Sequence, residues 1–129
     1  MTSKSDRVIN SRKIKKFESQ IYGDIIICSV FLEKFSLKCM DEFKSELNSI
    51  ADAEIQNIII DISFCSFVSF SVWCALMIFF KKLTKTGGRL IVVCNYQLLR
   101  PIISHTGVDK IFVFRSEVNE AINYFLETD

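Results

Sequence analysis

The sequence predicts an α/β domain built on a mixed, mostly parallel sheet of about four or five strands with about four helices. Three observations lead there. Segments 24–32, 55–63 and 89–95 are short continuous apolar runs rich in isoleucine and valine, the composition of strands covered on both faces. Other segments repeat apolar residues at intervals of three and four, the helical period. The two kinds of segment alternate, as parallel strands joined by helical crossovers require.

Taken in order, "RKIKKFESQIYG" (12–23) alternates weakly and reads as an opening strand, with Gly23 and Asp24 as the turn. "DIIICSVFL" (24–32) is the first buried strand. In "FSLKCMDEFKSELNSIADAE" (35–54) the period changes. Leu37, Met40, Phe43, Leu47 and Ile50 form an apolar stripe, Asp41, Glu42, Lys44 and Glu46 the wet face, and Ser36 the expected cap. "IQNIIIDIS" (55–63) is a second buried strand, with 57–61 expected at the centre of the sheet. Residues 62–86 supply a loop and one helix, which starts at Ser69 or Ser71 and is closed by a left-handed cap at Gly87 and Gly88.

"RLIVVCN" (89–95) is the third buried strand. "YQLLRPIISHTG" (96–107) is a short helix with Leu98, Leu99, Ile102 and Ile103 on its apolar face. Pro101 is expected near its first turn, where a missing N–H costs little, and Gly107 ends it. "KIFVF" (110–114) reads as a short strand. "SEVNEAINYFLETD" (116–129) reads as a helix capped by Ser116, with Val118, Ile122 and Phe125 as its buried stripe.

Length and composition bound the rest. The 129 residues suit one domain spanning 1–129, with 1–12 as a polar tail. Apolar residues make up 50% and charged residues 24%, the balance of a globular chain rather than a disordered one. A net charge of +1 gives no argument for nucleic acid. The cations of the first twenty residues (Lys4, Arg7, Arg12, Lys13, Lys15, Lys16) read as a solvated tail running into an edge strand, where lysines discourage pairing with neighbours.

Cys28, Cys39, Cys65, Cys74 and Cys94 are odd in number and form no CxxC pair, and the single histidine is His105. They are expected as small core residues of a cytoplasmic chain, with neither metal nor cofactor. From Ile62 to Phe80 the chain carries no charge and approaches the roughly 20 residues of a membrane span. The strand-like "NIIIDIS" and the interspersed Ser63, Ser66, Ser69 and Ser71 argue instead for a strand end, a turn and a helix start. The chain is therefore not expected to be an integral membrane protein.

Four stretches, "NIIIDISFCSFVSFSVWCALMIFFKKL", "GGRLIVVCN", "LLRPIISHTGVDKIF" and "SEVNEAINYF", together resemble the STAS domain, the family of bacterial anti-sigma-factor antagonists and of sulphate-transporter tails. The resemblance covers nearly the whole chain from about residue 14 and implies a STAS-like (SpoIIAA-like) fold. In the family an apolar strand ending in Asp-Leu-Ser leads to an Asp-Ser-Ser/Thr-Gly-Leu-Gly turn. Counting from Asp61, the first four positions of that turn fall on Ser69, Phe70, Ser71 and Val72, and Trp73 and Cys74 fill the Leu-Gly. The resemblance implies that a cognate kinase phosphorylates the serine after the aspartate; that position is Phe70, which has no hydroxyl, so the switch is degenerate.

Ser69 and Ser71 remain as phosphorylation candidates, since either hydroxyl can sit at the positive end of a helix dipole, and both are expected as caps. The helix from Val72 to Phe80 is apolar nearly all round, which predicts an exposed patch. Phe70, Ser71, Val72, Trp73, Met77 and Phe80 are the expected partner-binding residues, for a protein partner or for a homodimer; a bulkier core is the other account of the same residues. No Ser-His-Asp spacing, phosphate-cradling loop or paired carboxylates indicate an enzyme. The resemblance implies a non-catalytic regulator in a partner-switching system, bound to a histidine-kinase-like anti-sigma factor. The alternative it leaves is a STAS accessory subunit of a lipid-transport ABC complex.

Overall fold

The computed structural model describes residues 15–128, so the tail expected at 1–12 lies outside the described residues. Five strands form the main sheet: β1 (Phe17–Tyr22), β2 (Ile25–Val30), β4 (Asn57–Asp61), β6 (Arg89–Val93) and β7 (Val113–Arg115). Their order is β1-β2-β4-β6-β7, with β1 antiparallel to β2 and every other pairing parallel. β4 is the central strand, as the isoleucine run predicts. Four helices cover the sheet: α1 (Met40–Asp52), α2 (Phe70–Lys85), α3 (Tyr96–Thr106) and α4 (Val118–Glu127).

The apolar runs divide their side chains by strand alternation. Ile58, Ile60, Leu90 and Val92 turn to the face under α1, α2 and α3, while Ile59, Ile91 and Val93 turn to the face that Ala121 and Phe125 of α4 cover. This double coverage is why these strands show no polar positions. On the first face Phe35 meets the ring of Phe43 edge-on at 4.8 Å, and Phe17 stacks on Phe43 at 5.6 Å, which fixes α1 against β1. On the second, the Arg89 guanidinium lies 4.8 Å from the Phe125 ring centre and donates to Thr128 Oγ1 at 2.7 Å. A cation there also complements the negative end of α4.

Several local expectations shift. β3 (Lys34–Phe35) and β5 (Phe67–Val68) form a separate two-stranded parallel ribbon that the sequence did not announce. Segment 110–114 is not a strand from its start: Val108–Lys110 is a 3-10 turn and the strand runs Val113–Arg115, because Phe112 drops into the core ahead of it. Leu37 and Leu98 are exposed and leave the apolar stripes assigned to them. Pro101 lies inside α3 rather than at its first turn. Ser36 precedes a 3-10 turn and makes no side-chain cap bond, and the N-cap of α4 is Glu117; Ser116 instead donates its backbone N–H to Glu120 Oε1 at 3.2 Å. The α2 C-terminus behaves as expected. Gly87, at φ +86°, and Gly88 return their N–H groups to Thr84 and Leu83, closing a Schellman motif.

Among the described residues no helix is long and apolar enough to cross a membrane. The uncharged run 62–80 is divided among the turn that follows β4, β5 and the first part of α2.

Candidate functional site

The site forms where parallel strands end. After β4, Asp61 accepts the N–H of Ser63 through Oδ1 at 3.0 Å and tightens the departing turn. The chain then meets the segment following β2: Ser66 N–H donates to Glu33 O at 2.8 Å, and Phe35 and Val68 pair across the ribbon. Ser69 N–H donates to Phe35 O at 2.9 Å, and one residue later α2 begins. The turn is therefore held before the helix starts by backbone bonds to Glu33 and Phe35 and by the Asp61 carboxylate.

Ser69 is the α2 N-cap residue by its extended backbone (φ −73°, ψ 159°), but its hydroxyl does not cap the helix. It lies 2.9 Å from the Ser71 hydroxyl, and both residues are half-buried. The two phosphorylation candidates are thus brought together and bonded to each other. Phe70 between them is 58% exposed. The first turn of α2 carries no acidic residue, so its dipole is uncompensated by charge there.

The expected partner patch is only partly on the surface. Val72 and Trp73 have no exposed surface and belong to the core, so neither can contact a partner directly. The Trp73 ring lies 6.3 Å from that of Phe112 and 6.0 Å from that of Phe114, and its indole N–H is buried without a hydrogen-bond partner. Met77 and Phe80 are half-buried against the same core. Trp73 and Phe80 pack against Phe112 next to β7, while Ile78 of the same helix is exposed.

Other residues complete an apolar rim around Phe70. Phe31, Leu37, Phe64 and Phe67 are all exposed, on the segments that the Ser66–Glu33, Ser69–Phe35 and ribbon bonds hold together. A signal for part of this rim exists in "SFCSFVSF": Phe64, Phe67 and Phe70 recur every third residue and face out, while Cys65 and Val68 between them are buried. That spacing fits neither a helix nor a regular strand, so periodicity passes over it.

Little around the rim suits chemistry. Burial pushes the Cys65 and Cys94 thiols up to about 12, with the Asp61 carboxylate adding to the effect, so both stay protonated and unreactive. His105 is exposed in the last turn of α3. Among the described residues no group of three or more His, Cys, Asp or Glu is placed to hold a metal ion.

A doubly covered, mostly parallel sheet with a helix start beside exposed apolar side chains defines a small α/β domain. The family model of the STAS domain matches residues 17–121, and the chain belongs to that family. Among solved structures it is similar to an anti-sigma factor antagonist from Mycobacterium paratuberculosis, at 19% identity and a TM-score of 0.75, covering 84% of this chain and 91% of that one. A putative anti-sigma factor antagonist from Thermotoga maritima superposes with a TM-score of 0.76 at 16% identity, over 84% of this chain and 92% of that one. The anti-sigma factor antagonist SpoIIAA in its unphosphorylated form gives 0.71 at 15% identity, over 86% and 96%. At these identities the likeness establishes the fold. No curated protein matches the chain in sequence.

Proposed function

We propose that this STAS domain is a non-catalytic regulator of the partner-switching kind, working in the cytoplasm, similar to an anti-sigma factor antagonist but without the phosphate switch. The observation that carries the reading is Phe70, exposed at the first residue of α2 in the place where the family resemblance puts the phosphorylated serine. A phenylalanine offers no oxygen to a kinase and presents an apolar ring to a partner. The neighbouring Ser69 and Ser71 are half-buried and bonded to each other, which disfavours their use in its place. Aromatic residues that become desolvated at the centre of an interface dominate binding energy, and the exposed Phe64, Phe67 and Phe70 supply such anchors.

The partner in this reading is a histidine-kinase-like anti-sigma factor, held without release by phosphorylation. The test is titration calorimetry of the full chain against the kinase-like anti-sigma factors of its own genome. Phe67→Glu and Phe70→Asp are expected to weaken binding by about tenfold or more at unchanged melting temperature. Ile21→Glu, an exposed apolar position on β1 away from the rim, is expected to leave affinity unchanged. Equal affinity for all four proteins, or binding to none of the candidates, contradicts the reading.

A further inference from the structure

At the opposite end of the sheet from Phe70, residues of α1, β4 and α2 line a groove of about 700 Å³. This lies within the roughly 300–1,000 Å³ of small-molecule sites. Its walls are apolar: Leu47 and Ile50 from α1, Ile58 from β4, and Phe79 and Leu83 from α2. Ala51 and Ile78 line the mouth and are both exposed, so the apolar surface meets water there.

The polar groups are few and of uneven sign. Each helix contributes one lysine to the lining, Lys44 from α1 and Lys82 from α2, against the single carboxylate of Glu54. Among the described residues neither lysine has an ion-pair or hydrogen-bond partner. The amide of Gln56 is already engaged with Thr86 O. A cleft with hydrocarbon walls and two unpaired ammonium groups is complementary to a chain molecule ending in one anion. It is poorly suited to a second copy, because a two-fold contact would gather four ammonium groups against two carboxylates.

We propose that this groove binds a single-chain anionic amphiphile, represented by a free fatty carboxylate. The hydrocarbon lies along Leu47, Ile50, Phe79 and Leu83, and the carboxylate meets Lys44 and Lys82. The site is independent of the partner surface, since it uses the other half of α2.

The experiment is calorimetric titration of the full chain with saturated carboxylates from octanoate to dodecanoate, below their micelle concentrations. One ligand per chain is expected, tightening by about fourfold for each added methylene. Lys44→Gln and Lys82→Gln are each expected to weaken the carboxylate by about threefold to fivefold and to leave the alcohol of equal length unaffected. Ala51→Trp, which fills the mouth from an exposed helical position, is expected to abolish both; should it lower the melting temperature, the lysine variants decide alone. Four results overturn the proposal: no binding, affinity independent of chain length, binding only to phosphatidylglycerol vesicles, or a dimer of the chain that Ala51→Trp dissociates in sedimentation.

Discussion

Trp73 shows why the surface of α2 could not be read from its sequence. Nine successive residues from Val72 to Phe80 are apolar, and hydropathy alone does not tell the buried Trp73 from the exposed Phe70. Packing separates them. α2 lies between α1 on one side and Phe112 and Phe114 on the other, so its buried arc is wider than the stripe one sheet face needs. Trp73→Ala is expected to lose about 3–5 kcal/mol of stability, and Trp73→Glu to prevent folding. Trp73→Phe keeps most of the volume and removes an indole N–H that has no partner, a defect worth about 1–3 kcal/mol. The phenylalanine variant is therefore expected to fall within about 1.5 kcal/mol of the parent. Urea denaturation orders the three, and a folded Trp73→Glu would return this side chain to the surface. Of the patch expected from the surplus of apolar residues on α2, Phe70 is exposed and Trp73 is not.

At the scale of elements, the ends of α2 were legible to different degrees. Its C-terminus is written in the sequence, since Gly87 needs a left-handed φ that an L side chain resists. A Cβ at Gly87 meets only Gln56 Oε1 at 3.8 Å, so Gly87→Ala is expected to cost about 1–2 kcal/mol through backbone strain alone. At Gly88 the added methyl would press into the Leu83 side chain and stand 3.0 Å from Gln56 O. Gly88→Ala is accordingly expected to lower the melting temperature further than Gly87→Ala, and the reverse order in calorimetry would show that Leu83 moves freely. The N-terminus was legible in position only. Ser69 is the cap residue, but its hydroxyl turns to Ser71, a choice set by three-dimensional geometry. The β3–β5 ribbon was invisible, because strands of two residues have no period and this pair joins segments far apart in sequence. That ribbon holds the rim together, so the site's architecture was the least legible part.

For the whole molecule, the order of elements, the central place of β4 and the two apolar faces were all present in the alternation of 3.6-residue and continuous apolar patterns. Burial of the thiols has a consequence at this scale. Desolvation pushes Cys28, Cys65 and Cys94 up to about 12, from an ordinary 9.0. Above pH 9.0 the unfolded chain releases these protons while the folded chain retains them, so the native state binds more protons and stability falls as pH rises toward about 12. Below pH 9.0 the contribution is fully present. The urea midpoint is expected to drop as pH rises from 9.0 toward about 12, and Cys94→Ala to drop less steeply than the parent over the same interval; equal slopes would mean that this thiol ionises as readily in the fold as outside it.

The central claim is that a STAS switch position has become a permanent contact. Its most direct measurement is phosphate incorporation, read by mass spectrometry, when the full chain and its Phe70→Ser variant are each incubated with ATP and the kinase-like anti-sigma factor that binds them. The account predicts no phosphate on the parent and a complex that survives ATP. In the Phe70→Ser variant it predicts phosphate on the introduced hydroxyl and release of the partner. Phosphate on Ser69 or Ser71 of the parent, with loss of the complex, would contradict it.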